Sequence, residues 1–231
     1  MGVLPGMSVP AHALSVDIVV DLNAGSLQQY AGEELQRYLE RLFEVDAHVV
    51  PISSGTADYR FWLGTLEGVP GEPCPVESLP QLTDQGFLLR VAHWKDKPGM
   101  VLVGGSPAAV LWSVYELVER YGVRYLLSGD VFPSEARPFF LPEIDKTFRP
   151  LFRVRMWKTM GDFAMGMEGW GMADYRPFID QLAKLKFNRI RVSSGPSQPF
   201  LGMTVRGVRN SSATLWYGAR FPVTDDMPGR A

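Results

Sequence analysis

The chain has 231 residues, 46% of them hydrophobic and 21% charged, which excludes a disordered polypeptide. Its formal net charge of -2, with acidic and basic residues mixed along the chain, leaves no electrostatic case for nucleic acid or an anionic membrane as a partner. Cys74 is the single cysteine, and His12, His48 and His93 fall at no metal-binding spacing, so no disulfide, no metal site and no cofactor is expected.

No window approaches the ~20 apolar residues that span a bilayer. The N-terminus, MGVLPGMSVPAHALSVDIVV, lacks a basic stretch followed by an unbroken apolar run, so it does not read as a secretory signal. A soluble protein is expected, its compartment and oligomeric state left open.

In chain order, Val16–Leu22 is a β-rich run. Leu27, Tyr30, Ala31, Leu35, Tyr38, Leu39, Leu42 and Phe43 then recur at intervals of three and four, which predicts a helix with Ser26 as a plausible N-cap. Candidate strands follow at His48–Ile52 and Tyr59–Leu66, and the Pro/Gly-rich stretch Gly68–Pro80 reads as a loop. Gly86–Trp94 and Met100–Val103 flank the turn-rich Lys95–Gly99, a hairpin pattern. From Pro107 a second helix is expected to about Tyr121, with Gly122 ending it and Val123–Leu127 as a further strand. The order β-α-β-β-β-β-α-β describes a sheet carrying two helices, an α/β domain over residues 1–145.

The turn Gly104-Gly105-Ser106-Pro107 has two readings. A glycine-rich strand-to-helix turn can hold a phosphate, but this one lacks both the lysine of a P-loop and the third glycine of a dinucleotide motif. Ser106 as N-cap with Pro107 at the first helical position explains the same residues without a ligand.

A second unit, residues 146–231, takes shape from Phe148-Arg149-Pro150 onward: strand Leu151–Trp157, a Gly- and Met-rich loop Gly161–Asp174, helix Tyr175–Phe187 and strand Arg189–Val192. Strand-loop-helix-strand is a βαβ unit of the kind that builds parallel sheets and barrels. Only 81 residues follow Pro150, whereas a (β/α)8 barrel takes ~250.

The stretches DQGFLLRV (Asp84–Val91) and MVLVGGSPAAVLWSVYELVERYGVRYLL (Met100–Leu127) resemble the non-catalytic N-terminal α/β domain that precedes the barrel in family 20 β-hexosaminidases and family 67 α-glucuronidases. The helix of that domain carries a G-V-x-x-x-x-x-L-like pattern, which here reads Ala109-Val110 through Leu117. FRVRMWKTM followed by YRPFIDQLAKLKFNRIRV is similar to the first barrel strand, its helix and the second strand. The resemblance implies a hexosaminidase-like sheet-plus-two-helices domain followed by an incomplete TIM-barrel segment. It further implies a parent enzyme cleaving O-glycosyl bonds of oligo- or polysaccharides, whose paired carboxylates lie on later strands. No catalytic residue is therefore assigned, and this chain alone is expected to be inactive. Analogy places such hydrolases in the periplasm or outside the cell.

The first-strand arginine that contacts sugar hydroxyls in family 20 corresponds to Arg153, but Lys158 and Thr159 stand where an aspartate usually follows. Arg153 is thus either a substrate contact or a structural ion-pair partner. Trp157, Asp162 and Trp170 complete the substrate-binding candidates, with Phe163, Glu168 and Asp174 beside them. The alternative is that these rings, with Met165, Met167 and Met172, plug the top of a core. Trp216-Tyr217 allows the same two readings. Three functions compete: the N-terminal portion of a glycoside hydrolase, a non-catalytic carbohydrate-binding or interaction module, and, distantly, a nucleotide-dependent enzyme using the Gly104–Ser106 turn.

Overall fold

The computed structural model describes residues 14–66, 79–94, 97–158, 170–191, 204–209, 212–214 and 220–222. The fold is mixed α/β in two compact units, Met1–Val123 with Phe132–Leu151 and Arg124–Val131 with Phe152–Ala231.

The first unit runs β1 (Ser15–Val20), α1 (Ser26–Phe43), β2 (Asp46–Val50), β3 (Tyr59–Thr65), β4 (Phe87–Trp94), β5 (Lys97–Gly104) and α2 (Pro107–Arg120). The chain then leaves for β6 (Arg124–Leu126) and β7 (Gly129–Val131) of the second unit, and returns through Phe132 to β8 (Asp145–Phe148). Six strands form one sheet in the order β2-β1-β3-β5-β4-β8. β1, β2, β3 and β5 are parallel, while β4 runs antiparallel to both of its neighbours.

Near-continuous apolar runs such as DIVV in β1 and MVLV in β5 suit strands covered on both faces. α1 and α2 pack on each other and on the sheet. A second cluster of Val19, Trp62, Ala92, Val101 and Val103, flanked by Leu79, Leu82 and Trp94, contains no helix residue and marks the opposite face. Arg60 is buried there, opposite Asp17 in strand register, and its Nε and Nη1 have no hydrogen-bond partner. Asp17 Oδ2 instead accepts from Ser53 Oγ at 2.9 Å and from Ser54 N at 2.7 Å.

Several sequence expectations change. Gly25, not Ser26, is the N-cap of α1, without a side-chain cap bond; Gln29 Nε2 instead ties the helix to the Asp21 carbonyl at 2.7 Å. The strand expected at Val123–Leu127 does not join the sheet. Its Arg124–Leu126 segment pairs only with β7, because Gly129, at φ 144°, folds the chain straight back. The sheet edge goes to β8, where Phe148 stacks on Phe87 at 4.8 Å and Asp145 accepts from Arg90 Nε at 2.7 Å.

Inside the helix layer, Tyr115 of α2 donates to Glu34 Oε2 of α1 at 3.1 Å, and Arg37 Nε donates to Glu34 Oε1 at 2.8 Å. Burial opposes the Arg37 charge, but Glu34 more than offsets it and holds that guanidinium above its ordinary value. Burial, then the adjacent Glu34 charge, pushes the Tyr115 hydroxyl far above the usual tyrosine range, and burial alone does the same to Tyr121.

In the second unit, β9 (Met156–Lys158) and β10 (Arg189–Arg191) pair in parallel, with α3 (Met172–Lys184) between them in sequence. β9 is shorter than the Leu151–Trp157 strand expected, since its partner β10 offers only three residues. Asn188 fixes the approach to β9: its Oδ1 accepts from Arg155 N at 2.9 Å and its Nδ2 donates to Arg153 O at 2.8 Å. Two further hairpins follow, β11 (Thr204–Val205) with β12 (Val208–Arg209) and β13 (Ser212–Thr214) with β14 (Arg220–Pro222).

Tyr115 and Tyr121 hold their protons more tightly folded than unfolded, so their ionisation favours the unfolded chain. Their contribution is full below pH about 10 and declines as pH rises further. Thermal melts are expected to stay level up to about pH 9.5 and then fall, and the Tyr115→Phe/Tyr121→Phe double variant should fall less steeply.

Candidate functional site

Among the described residues, side chains of binding character gather in the second unit around Phe178. That ring and Leu182 are the buried apolar stripe of α3, four residues apart on one helical face. Trp157, from β9, meets Phe178 edge-to-face at 5.5 Å and Phe187 at 6.2 Å. Trp170, just before α3, meets Phe178 edge-to-face at 5.3 Å and Tyr175 at 5.8 Å. The structure thus brings two of the four expected substrate contacts, Trp157 and Trp170, onto one ring, and both remain half-buried. Arg153 is exposed in the segment ahead of β9. Asp162 lies outside the described residues, as do Phe163, Met165, Met167, Glu168 and Trp216-Tyr217. Met172 is 61% exposed and plugs no core.

Beside Trp170 is a cavity of about 360 Å³, walled by the β6–β7 turn on one side and α3 on the other. Phe178 and Gln181 are its buried floor, while Ser128, Ala173, Asp174 and Pro177 form an exposed rim. Asp174 Oδ2 accepts from Gly171 N at 3.1 Å, which closes the first turn of α3 and fixes the rim carboxylate.

Below the floor lies a polar network that the sequence reading missed. Lys184 Nζ donates to Asp130 Oδ1 and Oδ2 at 2.9 and 3.0 Å, and Gln181 Nε2 donates to Asp130 Oδ1 at 3.0 Å. The Lys184 and Asp130 side chains are only 8% and 9% exposed. Gln181 and Lys184, three apart on a helix, carried a weak signal of a shared polar face; their partner fifty residues upstream carried none.

The glycine turn of the first unit is closed to a phosphate. Gly105 N donates to Gly86 O at 2.9 Å, and Ser106 Oγ accepts from Ala109 N at 3.3 Å with Pro107 at the first helical position, so capping is the role of these residues. A Cβ on Gly105 would collide with the Thr83 carbonyl, which occupies the space a ligand would need. Among the described residues no group of three or more His, Cys, Asp or Glu converges to hold a metal. No helix among them is long and apolar enough to cross a membrane.

Two substitutions test these contacts. Gly105→Ala is expected to destabilise the first unit by about 1–3 kcal/mol, measured by urea unfolding, because backbone rather than a flexible side chain blocks the added methyl. Lys184→Met leaves Asp130 charged and buried, and should cost the second unit about 3–5 kcal/mol, read from its hydrogen exchange.

Residues 9–117 match the family described as "Glycosyl hydrolase family 67 N-terminus". No curated protein matches the chain. Among solved structures, a family GH115 4-O-methyl-alpha-glucuronidase, BtGH115A, with specificity for decorated arabinogalactans, is similar at 16% identity and a TM-score of 0.63, covering 85% of this chain and 27% of its own. A GH138 enzyme targeting pectin rhamnogalacturonan II is similar at 11% identity and a TM-score of 0.55, covering 82% of this chain and 25% of its own. A mutant Streptomyces plicatus beta-hexosaminidase in complex with its product GlcNAc follows at 14% identity and a TM-score of 0.50, covering 78% of this chain and 30% of its own. At these identities the likeness is one of fold, and the chain spans between a quarter and a third of the length of each structure. The family match and the fold agree with the resemblance drawn from the sequence: residues 9–117 are similar to an N-terminal domain of glycoside hydrolases.

Proposed function

We propose that this chain is the N-terminal portion of a glycoside hydrolase, hexosaminidase- or glucuronidase-like, acting on O-glycosyl bonds of oligo- or polysaccharides. In this reading residues 1–145 are an accessory α/β domain and residues 146–231 the first β/α units of a TIM barrel. The carbohydrate is the partner, and Arg153, Trp157, Asp162 and Trp170 are its candidate contacts. The observation that carries the reading is the match of residues 9–117 to a glycoside hydrolase N-terminus, followed in the same chain by a parallel β-α-β unit. A parallel pair is stable in proteins when both faces are covered. Here β10 is exposed throughout, and Val154, Met156 and Ile190 present apolar side chains that further units would cover. Hydrolysis would need two carboxyl groups flanking the scissile bond, and the reading places them on later strands.

The test is to read the source gene past the codon for Ala231. The expected result is an open frame of ~200 residues with further β/α units and paired carboxylates at strand ends. The extended protein should then cleave members of an aryl-glycoside panel that the 231-residue chain leaves intact. A stop codon directly after Ala231 in the native gene would remove the barrel and, with it, the catalytic reading.

A further inference from the structure

The chain is close to neutral, but its charge is not spread evenly. Over residues 152–231 Lys and Arg outnumber Asp and Glu two to one. Three of these cations share one face of the β9–β10 sheet. Trp157 turns its ring to Phe178 of α3, so its neighbours on the strand, Met156 and Lys158, lie on the opposite face. The parallel register sets Arg189 beside Met156 and Arg191 beside Lys158, which puts both arginines on that same face. All four residues are exposed. Lys158 and Arg191 are thus like charges directly opposite each other, an arrangement that costs stability. No ion pair among the described residues relieves it. The acids described in this unit are Asp174 and Asp180, on α3, which covers the other face, and Asp130, on the β7 strand bonded to α3.

Lys158 and Arg191 also close β9 and β10 at their carboxyl ends, the end at which parallel α/β sheets receive ligands. Arg189 stands two residues back, ~7 Å along the strand, and neighbouring strands are ~5 Å apart, so the three long side chains reach a common point above the sheet. An oxyanion with three terminal oxygens suits that point, one oxygen for each cation. A sulfate ester has this form. A carboxylate offers two oxygens in one plane, which suits a single guanidinium fork better than a triangle of three cations. Met156 supplies apolar surface beside them for the C–H face of a ring. The geometry points to a subsite for a sulfated saccharide on the face of β9 and β10 turned away from α3, built from Lys158, Arg189 and Arg191. The saccharide rests on the carbohydrate-acting reading above; the sulfate rests on the three cations alone. Under that reading further units close over this face, and taking water from unpaired cations makes a bound anion more necessary still.

The experiment is calorimetric titration of the intact chain, at a salt concentration of ~0.15 M, with a sulfated oligosaccharide and with the same oligosaccharide after desulfation. An oligogalacturonide and a single-stranded oligonucleotide of matched charge are the comparison anions. Saturable binding of the sulfated form is expected, with the desulfated form and both comparison anions at least about tenfold weaker. Arg191→Gln and Lys158→Gln should each weaken it about fivefold or more. Each also removes one of two opposed like charges, so neither should lower the melting temperature. Arg176→Gln, at an exposed position on α3, lowers the net charge by the same amount and should leave binding unchanged. The subsite is overturned by the absence of saturable binding, or by a desulfated form, oligogalacturonide or oligonucleotide that binds as tightly. It is overturned equally by an Arg176→Gln loss as large as that of Arg191→Gln, which is attraction to net charge, or by a melting temperature that falls in both sheet variants. Those outcomes leave the hydrolase reading intact, and a stop codon after Ala231 would leave this measurement unaffected.

Discussion

A parallel β-strand must be covered on both faces, and much of this molecule follows from how that requirement is met. In the first unit β1, β3 and β5 form a parallel core whose strands are buried residue after residue. One face is closed by α1 and α2, which are fastened to each other by the bond from Tyr115 to Glu34. The other is closed by the Trp62, Trp94 and Val101 cluster. Covering that second face also buries Asp17 and Arg60, and the two are handled differently. The two serines that follow β2 satisfy the carboxylate, while two guanidinium nitrogens go without partners. Burial of such a group costs stability that the surrounding apolar packing must offset.

The first unit also depends on a segment that looks like a linker. Phe139, in the return stretch before β8, sets its ring among Tyr59, Phe43 and Phe61 at 4.7, 5.3 and 6.4 Å, and Arg41 stacks over Phe132 at 3.5 Å. These contacts explain why residues 132–151 belong with the sheet although the β6–β7 hairpin just before them does not. In the second unit the order of dependence is reversed. The strands are short and exposed, and cohesion comes from Phe178 with its tryptophans and from the Asp130–Lys184 pair. Of these groups, Phe178 and Trp170 also line the cavity.

Periodicity made the two long helices, the principal strands and the β4–β5 hairpin readable, because burial of one helical stripe or of a whole strand writes itself locally as an apolar pattern. The role of Ser106 and Pro107 was readable for a similar reason: a cap is a contact between near neighbours in sequence. Likewise the aromatic character of Trp157 and Trp170 was plain, and their convergence on one ring followed once α3 had formed.

Tertiary structure alone decided the rest. Whether Arg124–Leu126 joined the main sheet turned on the backbone at Gly129, and the edge it left open went to Asp145–Phe148, a segment with no strong strand pattern. The closing of the glycine turn depended on the Thr83 carbonyl, more than twenty residues away. The setting of Gln181 in the second unit depended on Asp130, fifty residues upstream, accepting from its Nε2. Local sequence records which faces must be buried; it does not record which distant backbone or side chain comes to cover them, because many partners satisfy the same local pattern and only the packed chain selects one.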